Sequence, residues 1–274
     1  MLYFIPTPIG NLNDISFRAL ELLKTCKVFL CEDTRVSKSL LLSLSNKFQI
    51  DFKTKKMIAF HTHNEKEILK NLDQDFFSQD IAFLSDAGMP GISDPGYALV
   101  DFALKNNIEF EVLPGANAAL VALVSSALCE KEFIFIGFLA NKGRERQKDI
   151  QRALNHIYPS IIYESPKRIL SLVEQIASID ENREIFAIKE ISKKFETKFK
   201  GSAKKVFDQL KEANLNGEWV LVISKNNQNL NSNSLLEGDI LELDIPLKTK
   251  SKLLAKINGK TPKEIYTKLL LSQN

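Results

Sequence analysis

The chain holds only three cysteines in 274 residues, Cys26, Cys31 and Cys129, and no CxxC pair. That excludes a disulfide framework. Cys26 and Cys31 flank or occupy an apolar run at 27–32 and read as small buried hydrophobes. No apolar run approaches the roughly 20 residues that cross a bilayer. The opening MLYFIPTPIGN lacks the basic start and cleavage site of a signal peptide and reads as a first strand. A cytoplasmic location without membrane contact is therefore expected. No GxGxxG follows the first strand, and no GxxxxGK[ST] occurs anywhere. A site that grips phosphates is thus not expected.

The charge is unevenly spread. A net of +3 conceals 12 basic against 16 acidic residues in 1–130, and 25 against 18 in 131–274. Residues 246–274 alone carry seven lysines and one glutamate, and 142–152 carries three arginines and two lysines. One-sided basicity suits a polyanionic partner, although a lysine-rich tail is also simply a solvated surface.

Strand-like and helix-like patterns alternate along most of the chain. Strands are predicted at 2–5, 27–32, 57–60, 80–84 and 109–113, with helices at 16–24, 37–44, 65–73, 97–105 and 116–128. A second series has strands at 133–137, 160–163, 184–188, 196–200 and 219–223, and helices at 145–156, 166–177 and 203–213. The fold class is α/β, and the alternation implies a mainly parallel sheet covered on both faces. An N-terminal α/β domain is expected over 1–130 and a second over 131–225. The asparagine-rich stretch 226–238 reads as a linker, and 239–274 as a basic helical extension. In that extension Asn258-Gly259 is a left-handed helix stop, and Thr261-Pro262-Lys263-Glu264 is a capping box. Such a helix pair can touch nucleic acid or cap the second domain.

The most informative segment is SDAGMPGISDPG at 85–96, which lies between an apolar strand and a helix. Its glycines let main chain approach a ligand, and Asp86 and Asp94 can meet hydroxyls or a positive charge. TPIGN at 7–11, EDTR at 32–35 and PGANA at 114–118 also follow predicted strands, so these loops converge on one sheet edge, where open α/β sheets bind ligands. His61 and His63 have no further residues to complete a metal-ligand set, so no metal is expected. A cofactor with a nucleoside but no phosphate fits, and S-adenosylmethionine is the common one.

Seven segments carry a family resemblance: TPIGNLNDIS (7–16), CEDTR (31–35), HTHNE (61–65), SDAGMPGISDPGY (85–97), LPGANAA (113–119), IFIGFLANK (134–142) and YESPKRI (163–169). In order and spacing they resemble the ribosomal RNA small subunit methyltransferase I family of the tetrapyrrole methylase superfamily. Met89 and Gly91 stand where threonine and leucine are usual there. The resemblance implies two α/β domains with S-adenosylmethionine in the cleft between them, and a homodimer. It implies 2′-O-methylation of a cytidine in small-subunit ribosomal RNA near the decoding centre, with free RNA or the assembled small subunit as partner. Cofactor contacts carried over by position fall on Ile9, Asp86, Met89, Asn117, Ala118 and Tyr163, with Gly88 and Gly115 shaping the loops.

Attack by a ribose hydroxyl calls for a base, or a cation that favours the alkoxide. The candidates are Asp33, Glu164, Lys189 and Lys193. Arg35, Arg144, Arg146 and Arg168 are candidate phosphate clamps, because arginine forks onto phosphate oxygens. The alternatives are a small-molecule methylase acting on a tetrapyrrole precursor, which needs no basic tail, and a non-catalytic RNA-binding protein, which needs no cofactor loops.

Overall fold

A computed structural model describes residues 1–53, 55–73, 75–226 and 237–271, which form two compact units, 1–226 and 227–274. The first unit opens with β1 (Leu2–Phe4), α1 (Phe17–Thr25), β2 (Val28–Cys31), α2 (Thr34–Phe48), β3 (Lys56–Ala59), α3 (Glu65–Asn71), β4 (Ile81–Leu84), α4 (Gly96–Lys105), β5 (Phe110–Val112) and α5 (Ala118–Ser126). Its five strands are all parallel, in the order β3-β2-β4-β1-β5. VFLC in β2 and IAFL in β4 are buried at every position, as central strands covered on both faces must be. Leu20, Leu23, Leu41 and Leu44 of α1 and α2 pack on one face, and Leu99 and Ala103 of α4 on the other. Cys26 and Cys31 lie in this core, where burial pushes both thiols up to about 11.

A second series follows in the same unit: β6 (Ile134–Phe138), α6 (Gly143–Asn155), β7 (Ser160–Glu164), α7 (Ile169–Ile179), β8 (Glu184–Lys189), β9 (Thr197–Ser202), α8 (Ala203–Lys211) and β10 (Trp219–Ile223). Its sheet has the order β6-β7-β10-β8-β9 and is mixed, which departs from the mainly parallel expectation. Only β6 and β7 pair in parallel. The cause is local: β8 runs to β9 through the short segment 190–196 without a helix, so the two must pair antiparallel. Strand β10 then enters antiparallel between β7 and β8.

This second sheet is covered on one face by α6, α7 and α8. Its other face, with Ile161, Phe186, Ile188, Val220 and Val222, is covered by Ala119, Ala122 and Leu123 of α5. Helix α5 thus follows the first sheet in sequence but packs on the second. It is shorter than the 116–128 expected, because Asn117 Oδ1 accepts from Leu120 N at 3.1 Å to start it and Ala127 turns left-handed at φ 52 to stop it. Helix α2 starts three residues earlier than expected, because Asp33 caps it, and runs on to Phe48.

The second unit contains α9 (Glu237–Glu242), α10 (Leu247–Asn258) and α11 (Pro262–Leu271) around a small core of Ile240, Leu254, Ala255 and Ile265. Gly259 stops α10 at φ 63, and Thr261 and Glu264 form the capping box, with Thr261 N donating to Glu264 Oε2 at 3.0 Å. Lys248, Lys252, Lys256, Lys260, Lys263 and Lys268 are exposed. Of the expected linker, 227–236 lies outside the described residues, Asn226 N donates to His156 O, and Glu237 opens α9. Among the described residues no helix is long and apolar enough to cross a membrane.

Candidate active site

In a parallel sheet every strand ends on the same edge, so the loops after β1, β2, β4 and β5 meet without further instruction. Between that edge and the second sheet lies a cleft of about 440 Å³. Its first wall holds Ile9, Glu32, Asp86, Gly88, Met89, Asp94, Asn117 and Ala118; its second holds Phe138, Tyr163, Glu164, Ile191, Glu218 and Trp219.

The first wall is built by backbone. Thr7 and Gly88 exchange hydrogen bonds, Thr7 N to Gly88 O at 3.0 Å and Gly88 N to Thr7 O at 3.1 Å. Gly88 has φ +82, and a Cβ there would stand 3.2 Å from Ile9 Cγ2, so the close approach of the two loops requires glycine. Gly115 lies so near Pro6 that a Cβ would overlap the proline ring. Asp94 Oδ1 accepts from both Gly91 N and Gly96 N at 2.7 Å, which folds the loop back on itself.

Glu32 and Asp86 are laced together across the ends of β2 and β4. Asp86 N donates to Glu32 Oε2 at 3.1 Å, and Asp33 N donates to Asp86 Oδ1 at 3.0 Å. Burial first, and then neighbouring negative charge, raises both carboxyls above their ordinary values. Tyr163 reaches from β7 to accept from Ala119 N at 3.2 Å, and burial pushes its phenol up. Phe135 and Phe138 pack edge-on against its ring.

Of the residues carried over for the cofactor, Ile9, Asp86, Gly88, Met89, Asn117, Ala118 and Tyr163 line this one cleft, whereas Gly115 packs against the Pro6 ring and is not among the lining residues. The four candidate bases do not assemble. Asp33 sits at the cap of α2 in a fork from Arg35, which holds its carboxyl down at about 2. Glu164 is fully buried and accepts from Arg146 at 3.0 Å, from Arg168 at 2.7 Å and from Ser165 N at 2.7 Å, so both its oxygens are occupied. Lys189 donates to Asn214 O with its ammonium over the Trp219 ring. Lys193 bridges Glu190 at 2.9 Å and Glu218 at 2.8 Å; burial alone would lower its ammonium, but the two ion pairs outweigh that and raise it.

The arginines divide. Arg35 and Arg144 are exposed. Arg146 is a correction: only 5% exposed, it donates to Glu164 and to Ala140 O, where an RNA phosphate cannot reach it. The spacing of Arg146, Ile150 and Ala153 placed it on the apolar face of α6 from the outset. Arg168 is half-buried and committed to Glu164 and Asn141.

Sequence reasoning missed Glu32, Ile92, Phe138, Glu218 and Trp219. Glu32 was legible as a charge placed directly after a fully buried strand. Glu218 and Trp219 were not, because they sit at the start of an antiparallel strand. His61 and His63 stand with ring centres 6.0 Å apart, and among the described residues no three His, Cys, Asp or Glu side chains gather as a metal site would require.

The fold is similar to that of solved methyltransferases. The chain resembles a uroporphyrin-III C-methyltransferase from Thermus thermophilus complexed with S-adenosyl homocysteine (TM-score 0.56, 16% identity, 81% of this chain and 96% of that one). It also resembles a diphthine synthase (TM-score 0.56, 11% identity, 81% and 89%). Residues 1–206 match the family model of Tetrapyrrole (Corrin/Porphyrin) Methylases. A protein of Campylobacter fetus named ribosomal RNA small subunit methyltransferase I is 53% identical over 98% of this chain and 100% of its own length. A Helicobacter pylori protein of the same name is 43% identical over 100% and 98%. The chain belongs to the tetrapyrrole methylase family, within the group of ribosomal RNA small subunit methyltransferase I.

Proposed function

We propose that the chain transfers a methyl group from S-adenosylmethionine to RNA of the small ribosomal subunit. The observation that carries this reading is similarity along the full length to relatives named for that activity, tail included. The cleft suits the cofactor by its donor set. It offers carboxylates for hydroxyls and a sulfonium, and the N–H of Ala118, the first residue of α5, which has no carbonyl within its own helix to bond. Apolar surface from Ile9, Met89 and Tyr163 suits a purine.

The cofactor supplies an electrophilic methyl on a positively charged sulfur. Asp86 binds its hydroxyls, Gly88 lets backbone approach it, and Tyr163 closes the second wall. Positioning of the two reactants supplies much of the rate. The acceptor in this proposal is the 2′-oxygen of a cytidine near the decoding centre, in free RNA or the assembled small subunit, in the cytoplasm. Arg35, Arg144 and the exposed lysines of the second unit contact phosphates, which position RNA without reading its sequence. The protein acts as a homodimer. Support for that comes from the outward face of α5, where Leu120, Val121 and Val124 are exposed.

The test is transfer of radiolabelled methyl to small subunits that lack the modification, followed by nuclease mapping. Label on one ribose 2′-oxygen is expected. Cofactor binding with no label on subunits or free RNA would overturn the reading in favour of a small-molecule acceptor.

A further inference from the structure

Three carboxylates face the cleft from the first sheet, and two have tasks. Asp94 folds its own loop through Gly91 and Gly96. Asp86 is the residue proposed above to hold the cofactor. Glu32 is left over. Its backbone is fixed where it leaves β2, with Glu32 N donating to Leu84 O at 3.1 Å. Its Oε2 accepts from Asp86 N, while Oε1 takes no hydrogen bond from the described residues. The charged groups around it are Asp86 at the end of β4, Asp94 in the following loop and Asp33 beside it, all acidic. The nearby Arg35 is held in a fork by Asp33. Asp33, Glu164, Lys189 and Lys193, the other candidates, are each committed to a partner.

We propose that Glu32 is the catalytic base of the methyl transfer, taking through Oε1 the proton of the attacking ribose hydroxyl. This rests on the reading of the cleft as a methyl-transfer site. The hydroxyl oxygen forms its bond to the methyl carbon as the carbon–sulfur bond breaks. The bonding pair goes to sulfur, which becomes neutral, and the hydroxyl proton passes to Glu32. One positive charge leaves sulfur and one proton arrives on the carboxylate, so charge is conserved within the cleft.

The neighbourhood favours that order of events. A sulfonium bound in the cleft would stabilise both Glu32 and Asp86 as anions. Once the charge is lost, two adjacent carboxylates repel, and one of them gains affinity for a proton. The proton acceptor therefore strengthens as the methyl departs. A carboxyl with its affinity raised toward working pH is also a better base than the Asp33 carboxylate held by Arg35.

The experiment measures proton uptake on binding S-adenosylmethionine and S-adenosylhomocysteine, by calorimetry in buffers of different ionisation enthalpy at mildly acid pH. The wild type is expected to take up more protons with the product than with the substrate form. Glu32→Gln should lose that difference and, with one anion fewer in the cleft, bind S-adenosylmethionine less tightly relative to S-adenosylhomocysteine. Single-turnover transfer to unmethylated small subunits should fall about 10²–10⁴-fold in Glu32→Gln, with loss of the acid limb of the pH profile. If Glu32→Gln does not fold, Glu32→Asp serves instead: it should retain the proton difference and the acid limb while transferring more slowly. Active wild type, with unchanged transfer and proton uptake in the variant, overturns the role of Glu32 alone. A wild type that binds the cofactor but labels no RNA overturns the methyl-transfer reading, and Glu32 as its base with it.

Discussion

The two walls of the cleft are made by different chemistry. The first is held by main chain: the Thr7–Gly88 exchange, the turn around Asp94 and the Asn117 cap are hydrogen bonds to backbone N–H groups. The second is held by side-chain ions: Arg146 and Arg168 on Glu164, and Lys193 between Glu190 and Glu218. Parallel strands bring their loops together by topology, so backbone bonds suffice there. The mixed sheet presents a strand end and a strand start side by side; Lys193 ties the residue after β8 to the residue before β10, and the two arginines tie the helices to the end of β7. The first wall should therefore be sensitive to added Cβ atoms, and the second to removed charges.

The largest effect should come from the second wall. Glu164→Ala leaves Arg146 charged and buried without its partner, a loss of about 3–5 kcal/mol by urea unfolding. A loss close to zero would mean that Arg146 escapes to solvent and that ions do not hold this wall. In the first wall, Gly88→Ala forces a side chain into left-handed backbone against Ile9, which should cost about 1–2 kcal/mol. Affinity for S-adenosylmethionine should fall more steeply than stability does, as calorimetry would read it. A stability loss matching that of Glu164→Ala would erase the contrast between the walls.

The smallest effect concerns Asp33. Its carboxyl is lowered to about 2 by Arg35, so the pair contributes stability above the unfolded value near 3.8 and loses it as pH falls toward 2. The urea midpoint of Asp33→Asn should therefore vary less with pH across that window than the wild type does. Parallel curves would place the Asp33–Arg35 fork outside the folded state in solution.

What was legible in the sequence follows the same division. Buried parallel strands announce themselves as short apolar runs, and glycine and asparagine mark the turns after them, so the loops of the first wall were readable one by one. Strand direction in the second sheet was readable only at β8 and β9, where the short connection leaves no room for a crossover helix; the antiparallel entry of β10 was not, because a helix precedes it as it would in a parallel sheet. Arg146 and Arg168 were read by residue type alone, and an arginine fork serves a glutamate as well as a phosphate. The apolar spacing around Arg146 carried the missing information. Helix α9 escaped because six residues with one buried isoleucine make no period.

Helix α5 has a consequence for anyone who would divide this protein. A fragment beginning at residue 131 would carry every strand of the second sheet yet leave Ile161, Phe186, Ile188, Val220 and Val222 open to water. The matching fragment ending at 130 would carry α5 with nothing to lie on. Neither piece should be soluble when expressed by itself, whereas the two made together should recombine, with α5 as the graft that joins them.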